Sequence, residues 1–394
     1  MSLLATVHDP WLGLCLGIAL GERLERVVTF GDATHAAVYA DAGVPVVLVP
    51  RPPEATTLSL LGTDEAVAAI PKGARLLVFK PSRRLEERAA ALGASLAHSP
   101  ASIAQGLENK LALEGIAAEA GIALPAQRKI RVRDDLSFDA LSPDGAPVVV
   151  QSPRGFMGKR TWRVSSAAEW APVRATLRGR PAKVTQFVTG RPGTVNAVVD
   201  HAGATLVTAP IVQVTGEPWL TPFPLGSCGN DFTWRPLPHP GDGPATLVQR
   251  LGPVLAARGY RGHFGIDVVV EKTPGGSVTW LIEINPRLTA SMALYAAWCP
   301  VLAHAHVDAV SGEALPQTGE LPPVRGGQLI VHNTTDGVQL PLSGEDVGLV
   351  VGGLPADQRV LWPHVATRVE PGGTRGRIVA PGVIVDAAGD VLRG

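Results

Sequence analysis

Short apolar runs alternate with mixed, glycine-closed segments through the first part of the chain. Residues 27–30, 44–49 and 76–79 have the length and Val/Leu content of buried strands, the second stopped by Pro50. Residues 32–42 and 84–92 mix small, apolar and charged residues and end at Gly43 and Gly93, as helices do. Strand–helix–strand alternation with short connections predicts a small parallel α/β unit. Residues 11–20 are apolar but too few to span a bilayer. His8-Asp9-Pro10 precede them and no Lys or Arg occurs before Arg23. A buried helix is expected there, not a leader or a membrane span.

A further helix is predicted over 107–120, closed by Gly121 with Pro125 beyond it. From about 128 to 290 the pattern turns strand-like, in pairs separated by Gly/Pro turns: 148–150 with 161–164, 184–188 with 195–199, and 266–270 with 279–284. A helix is expected over 290–310. The resulting division is 1–106, an α/β domain; 107–315, a central domain whose part at about 128–190 carries a flap; and 316–394, a β-rich terminal subdomain.

Composition narrows the class. The chain has 394 residues, 45% apolar, with 44 Gly and 35 Pro, which suits a loop-rich α/β enzyme. Its 35 basic residues balance 35 acidic ones, so no bulk charge points to nucleic acid or an anionic membrane. Cys15, Cys228 and Cys299 are too scattered for a disulfide framework or a zinc site, which suits the reducing cytoplasm. A dinucleotide site would want G-x-G-x-x-G after the first strand. Phe30 is followed by Gly31-Asp32-Ala33-Thr34-His35 instead.

The densest chemistry lies in Ile266-Asp267-Val268-Val269-Val270 and Leu281-Ile282-Glu283-Ile284-Asn285. Alternation puts Glu283 and Asn285 on one strand face and Ile282 and Ile284 on the other. A hairpin centred on Gly275 sets Asp267 opposite Glu283. Two facing carboxylates repel unless a cation lies between them, and Asp, Glu and Asn oxygens are hard ligands suited to Mg²⁺. Pro286-Arg287 then ends the strand with a guanidinium fit for phosphoryl or carboxylate oxygens.

Upstream, Gln151-Ser152-Pro153-Arg154-Gly155-Phe156-Met157-Gly158-Lys159-Arg160 links two strands through two glycines and three cations. Such a loop can close over phosphates, although it is not a Walker loop. Gln186-Phe187-Val188 ends an apolar strand before Gly190, where backbone groups can meet the edge of a flat base. The 216–235 loop, with Trp219, Cys228 and Trp234, is a candidate for substrate recognition. His304, His306 and Asp308 invite a metal reading, but helical residues two apart do not face each other, so a structural role is preferred.

In this order, the pieces resemble the ATP-grasp superfamily, over about residues 1–310. Leu107-Glu108-Asn109-Lys110, followed by Ala120-Gly121-Ile122-Ala123-Leu124-Pro125, resembles its opening helix, and Glu283-Ile284-Asn285-Pro286-Arg287 is the most specific match. The resemblance implies an α/β and α+β architecture: an ATP-grasp fold with an N-terminal parallel unit and a β-rich C-terminal part, as in biotin carboxylase. It implies a carboxylate–amine ligase that forms an acyl phosphate from ATP. Lys110, Gln151, Arg154, Gly155, Gly158, Lys159, Gln186, Phe187 and Val188 would then contact nucleotide. Asp267, Glu283 and Asn285 would hold Mg²⁺ or Mn²⁺, and Arg287 and Lys159 would act on the transferred group. The partners would be a small carboxylic acid and an amine, and the superfamily's habit allows a homodimer. A bicarbonate-activating carboxylase and a non-catalytic ATP-binding protein are the alternatives. The chain departs from the pattern in carrying Gln151 where the superfamily usually has a second lysine. It also lacks the Asn-Thr-x-Pro-Gly ending of D-alanine–D-alanine ligases and the Ala-Pro-Arg-x-His-Asn pattern of the purine carboxyaminoimidazole synthetases.

Overall fold

The computed structural model describes residues 2–155, 158, 160–216, 223–231, 243–292 and 299–321, with the short strands 329–331, 358–360 and 384–386. The N-terminal unit is a parallel sheet of β1 (Leu3–Thr6), β2 (Arg26–Phe30), β3 (Val46–Val49), β4 (Arg75–Leu77) and β5 (Ser95–Leu96), ordered β3-β2-β1-β4-β5. The central strand β1 escapes a pattern search because it is four residues at the very start of the chain. Side chains alternate between two cores. Leu4, Val28 and Leu76 face one and Ala5, Val27 and Leu77 the other, so both faces are covered, as a parallel sheet requires. The expected buried helix is Pro10–Leu20. Its Leu14 and Leu16 share a core with Leu302 and Ala305 of the helix Val301–Ser311, which ties this unit to the rest.

The single helix expected over 107–120 is two, Ala101–Glu108 and Leu113–Glu119. Asn109 breaks it. Its backbone is extended (ψ 111°) and its Oδ1 accepts from the Leu111 amide at 3.0 Å, a local bond that competes with the helix. The break leaves Lys110 in a turn whose amide donates to Pro153 O at 3.0 Å, at the base of the 152–160 loop.

Next comes an antiparallel sheet of β6 (Gln127–Arg131), β7 (Val148–Gln151), β8 (Thr161–Val164) and β9 (Pro181–Gln186), ordered β6-β9-β7-β8. The β7–β8 pair is as expected. The pairing of 184–188 with 195–199 is not: β9 pairs with β6 and β7, while β10 (Arg191–Val199) belongs to another sheet. The chain crosses between sheets at Gly190, where an added Cβ would lie 2.5 Å from Val270 O.

That second sheet has eight strands: β10, β11 (Thr205–Val207), β12 (Ile211–Thr215), β13 (Ser227–Asp231), β14 (Gly262–Thr273), β15 (Gly276–Asn285), β16 (Gly319–Glu320) and β17 (Leu329–Val331). Thus part of the expected 216–235 loop is a strand, and Trp219 and Trp234 lie outside the described residues. The helix expected over 290–310 is interrupted. Cys299 is not helical and Pro300 caps Val301–Ser311, because proline restricts the residue before it and brings no N–H. Residues 293–298 lie outside the described set. Of the expected terminal subdomain, β16 and β17 extend the central sheet, and β18 (Gln358–Val360) pairs antiparallel with β19 (Ile384–Asp386). No described helix is long and apolar enough to cross a membrane.

Candidate functional site

A cleft opens between the two antiparallel sheets, with the β14–β15 hairpin as one wall. The hairpin turns at Pro274-Gly275, since Thr273 pairs with Gly276. Continued in that register, Asp267 would face Ile282. A bulge intervenes: Val268 pairs with Leu281, but Asp267 pairs with Glu283. The extra residue, Ile282, delivers the expected opposition of the two carboxylates. It also corrects the side-chain phase. Leu281, not Ile282, joins Ile284 in the core, and Ile282 lines the cleft.

The acidic groups are wired to neighbours. Lys110 Nζ lies 2.6 Å from Glu283 Oε1, and Lys110 is 4% exposed. Asn285 Nδ2 donates to Asp267 Oδ2 at 3.1 Å, and Gln213 Nε2 to its Oδ1 at 3.4 Å. Burial, reinforced by Glu283, pushes Asp267 up to about 6. Arg287 donates to Asn285 Oδ1 at 2.9 Å and lies 3.6 Å from Glu108 Oε1, which also bonds Lys80 Nζ at 2.7 Å. The Arg287 guanidinium sits 5.2 Å over the Phe79 ring, so the N-terminal unit reaches the cleft. His263 fixes the Arg287 backbone through Nδ1 and the Arg287 carbonyl at 2.7 Å. Burial lowers His263 to about 3, so it stays neutral and donates there.

The opposite wall is the β7–β9 face and its loop. Gln151, Gly155 and Gly158 line the cleft, whereas Arg154 is exposed and does not. Lys159 lies outside the described residues. Gly158 (φ 73°) meets the turn before β13: an added Cβ would be 2.4 Å from Gly226 Cα. The loop therefore closes as bare backbone against bare backbone. At the far end lie Gln186, Phe187 and Val188. The Gln186 amide donates to Ala126 O and that of Phe187 to Pro147 O, whereas the Val188 N–H has no backbone acceptor among the described residues. Arg163 stacks over Phe187 at 4.9 Å.

The structure thus brings together Lys110, Gln151, Gly155, Gly158, the 186–188 segment, Asp267, Glu283, Asn285 and Arg287. Pattern reading missed Phe79, Lys183, Thr185 and Gln213, which also line the cleft. Only Lys183 carried a signal, as a charge inside an otherwise apolar strand. His304 and Asp308 both meet Arg23, at 3.2 and 2.6 Å, and His306 Nδ1 accepts from the His263 amide at 2.8 Å. All three therefore have structural partners away from the cleft.

No protein-family model matches the sequence, and no curated protein sequence matches it. Solved structures match it in fold. The carboxyaminoimidazole ribonucleotide synthase from Aspergillus clavatus, complexed with ATP, superposes with a TM-score of 0.58 at 14% identity, over 98% of this chain and 94% of that one. Biotin carboxylase from Campylobacter jejuni gives 0.58 at 13% identity, over 83% and 74%. L-amino acid ligase from Bacillus licheniformis gives 0.54 at 17% identity, over 84% and 79%. At such identities the likeness is one of fold: the chain has the ATP-grasp fold.

Proposed function

We propose that the protein is an ATP-dependent ligase that joins a carboxylic acid, of amino-acid or peptide-like kind, to an amine. The observation that carries this reading is Asp267 opposite Glu283, flanked by Lys110 and by Asn285 with Arg287, at one end of a cleft that runs to the 186–188 hinge. A nucleotide lying along this cleft would set its base at the hinge and its phosphates at the carboxylates. The three solved relatives named above include an ATP complex, and they are similar in fold to this chain.

The donor set fits a divalent cation. Two partly buried carboxylates and an amide oxygen are hard ligands, and Asp267 is raised first by burial and then by Glu283, whose repulsion a cation would offset. Asp267, Glu283 and Asn285 would hold Mg²⁺, or Mn²⁺, which neutralises charge on the phosphates when bound. The protein's own residues do the rest. Lys110 offsets charge on the transferred phosphoryl group. The 152–160 loop, closed on Gly226, excludes water. A carboxylate oxygen of the acid attacks the γ-phosphorus, the bond to ADP breaks, and an acyl phosphate forms. The amine nitrogen then attacks the acyl carbon, phosphate leaves with the bonding pair, and the amine releases a proton to solvent. Arg287 faces the oxygens of both steps, held in place by Phe79, Glu108 and His263. Such a reaction belongs where ATP and Mg²⁺ are plentiful, in the cytoplasm.

The test is ADP release across a panel of amino acids and amines. A carboxylate–amine pair should stimulate it. Glu283→Gln should reduce it by about a thousandfold or more, with the fold retained by circular dichroism. Stimulation by bicarbonate alone, or unchanged turnover in Glu283→Gln, overturns the reading.

A further inference from the structure

The cleft holds a buried cation that the scheme above leaves unused. Lys183 lies in β9, 3% exposed, and lines the cleft. Its cross-strand neighbour in β7 is Gln151, so the two side chains share one face of the sheet. A lysine ammonium has three donors. Among the described residues Lys183 Nζ finds one acceptor, the carbonyl of Ile282 at the bulge, at 3.5 Å. The carboxylate nearest in effect, Glu283, is bonded to Lys110. Two residues along the same face, Thr185 also lines the cleft, and among the described residues its buried hydroxyl has no partner. A cation and a hydroxyl on one wall, both short of acceptors, call for an anionic ligand with several oxygens.

Resting on the nucleotide reading, we propose that Lys183 holds the phosphate chain of the nucleotide from the loop side of the cleft, supplying from β9 the charge that Gln151 of β7 lacks. Neighbouring strands are about 4.8 Å apart, so a long side chain moved by one strand still reaches the same oxygens. Burial lowers Lys183 to about 8, with Glu283 opposing and Lys110 adding to the fall, and a phosphate anion would restore the charge.

Binding of ATP, ADP and adenosine by calorimetry tests this. Lys183→Met should weaken ATP and ADP by about tenfold to a hundredfold and leave adenosine unchanged. The transposed pair, Gln151→Lys with Lys183→Gln, should recover the affinity to within about threefold. Wild-type protein should take up protons when it binds ATP at pH 8.5, measured in buffers of different ionisation enthalpy. This needs no variant to fold. Wild-type ATP affinity in Lys183→Met, equal weakening of adenosine, or no proton uptake overturns the proposal. A wild-type protein that binds no ATP overturns the nucleotide reading, and this proposal with it.

Discussion

The two walls of the cleft handle buried charge in opposite ways. At the hairpin, Glu283 has Lys110, Asp267 has the Asn285 and Gln213 amides, and Arg287 has Asn285 and Glu108. At the β7–β9 face, among the described residues, Lys183 has one long bond to a neutral carbonyl and the Thr185 hydroxyl has none. A buried charge with a partner resists the partner's removal, whereas one without a partner is a cost to the fold. The hairpin's charged groups are thus held by partners within the protein, while the sheet face is under tension that a ligand can relieve.

The sharpest way to break the comparison is to remove one lysine from each wall. Lys110→Met should destabilise the protein by about 3–5 kcal/mol in urea unfolding, because it strands Glu283 opposite Asp267, and added Mg²⁺ should return part of the loss. Lys183→Met should do the reverse and raise stability by up to about 3 kcal/mol at pH 7. The sign follows from its lowered pKa: between about pH 8 and 10.5 the unfolded chain holds the proton that folded Lys183 has lost. Stability from this group therefore rises with pH across that window, and the rise should vanish in Lys183→Met. Shifts of the same sign in both variants would erase the contrast. A smaller effect sharpens the ligand's part. Gly158→Ala should keep the loop from seating on Gly226 and raise the KM for ATP by about tenfold, with little change in unfolding midpoint.

Much of the hairpin wall was legible in the sequence. Alternation gave Glu283 and Asn285 a common face, and the Gly-rich turn set Asp267 across from Glu283. The register came out right although its centre lies at Pro274-Gly275, because the bulge at Ile282 supplies the missing residue. Bulges leave no mark in a hydrophobic pattern. The other wall was hidden because strand pairing is a long-range choice. The short link through Gly190 suggested a hairpin between β9 and β10, but β9 pairs back with β6 and β7. Without that pairing, Lys183 is a charge in a strand of unknown neighbours and cannot be set beside Gln151. Lys110 was found from its motif, yet its position depends on the Asn109 turn, which a helical run of Leu and Ala conceals.

The bulge at Ile282 also divides the hairpin into two segments of different phase. Beyond it, towards the tip, pairs follow the spacing set by the two-residue turn; before it, they follow the spacing set by the carboxylates. The bulge works as a clutch between them. The tip can keep the tight turn that suits its own strands, while the acidic end keeps the alignment its chemistry needs. The length of the turn and the placement of the reactive groups are thereby separate variables in this fold.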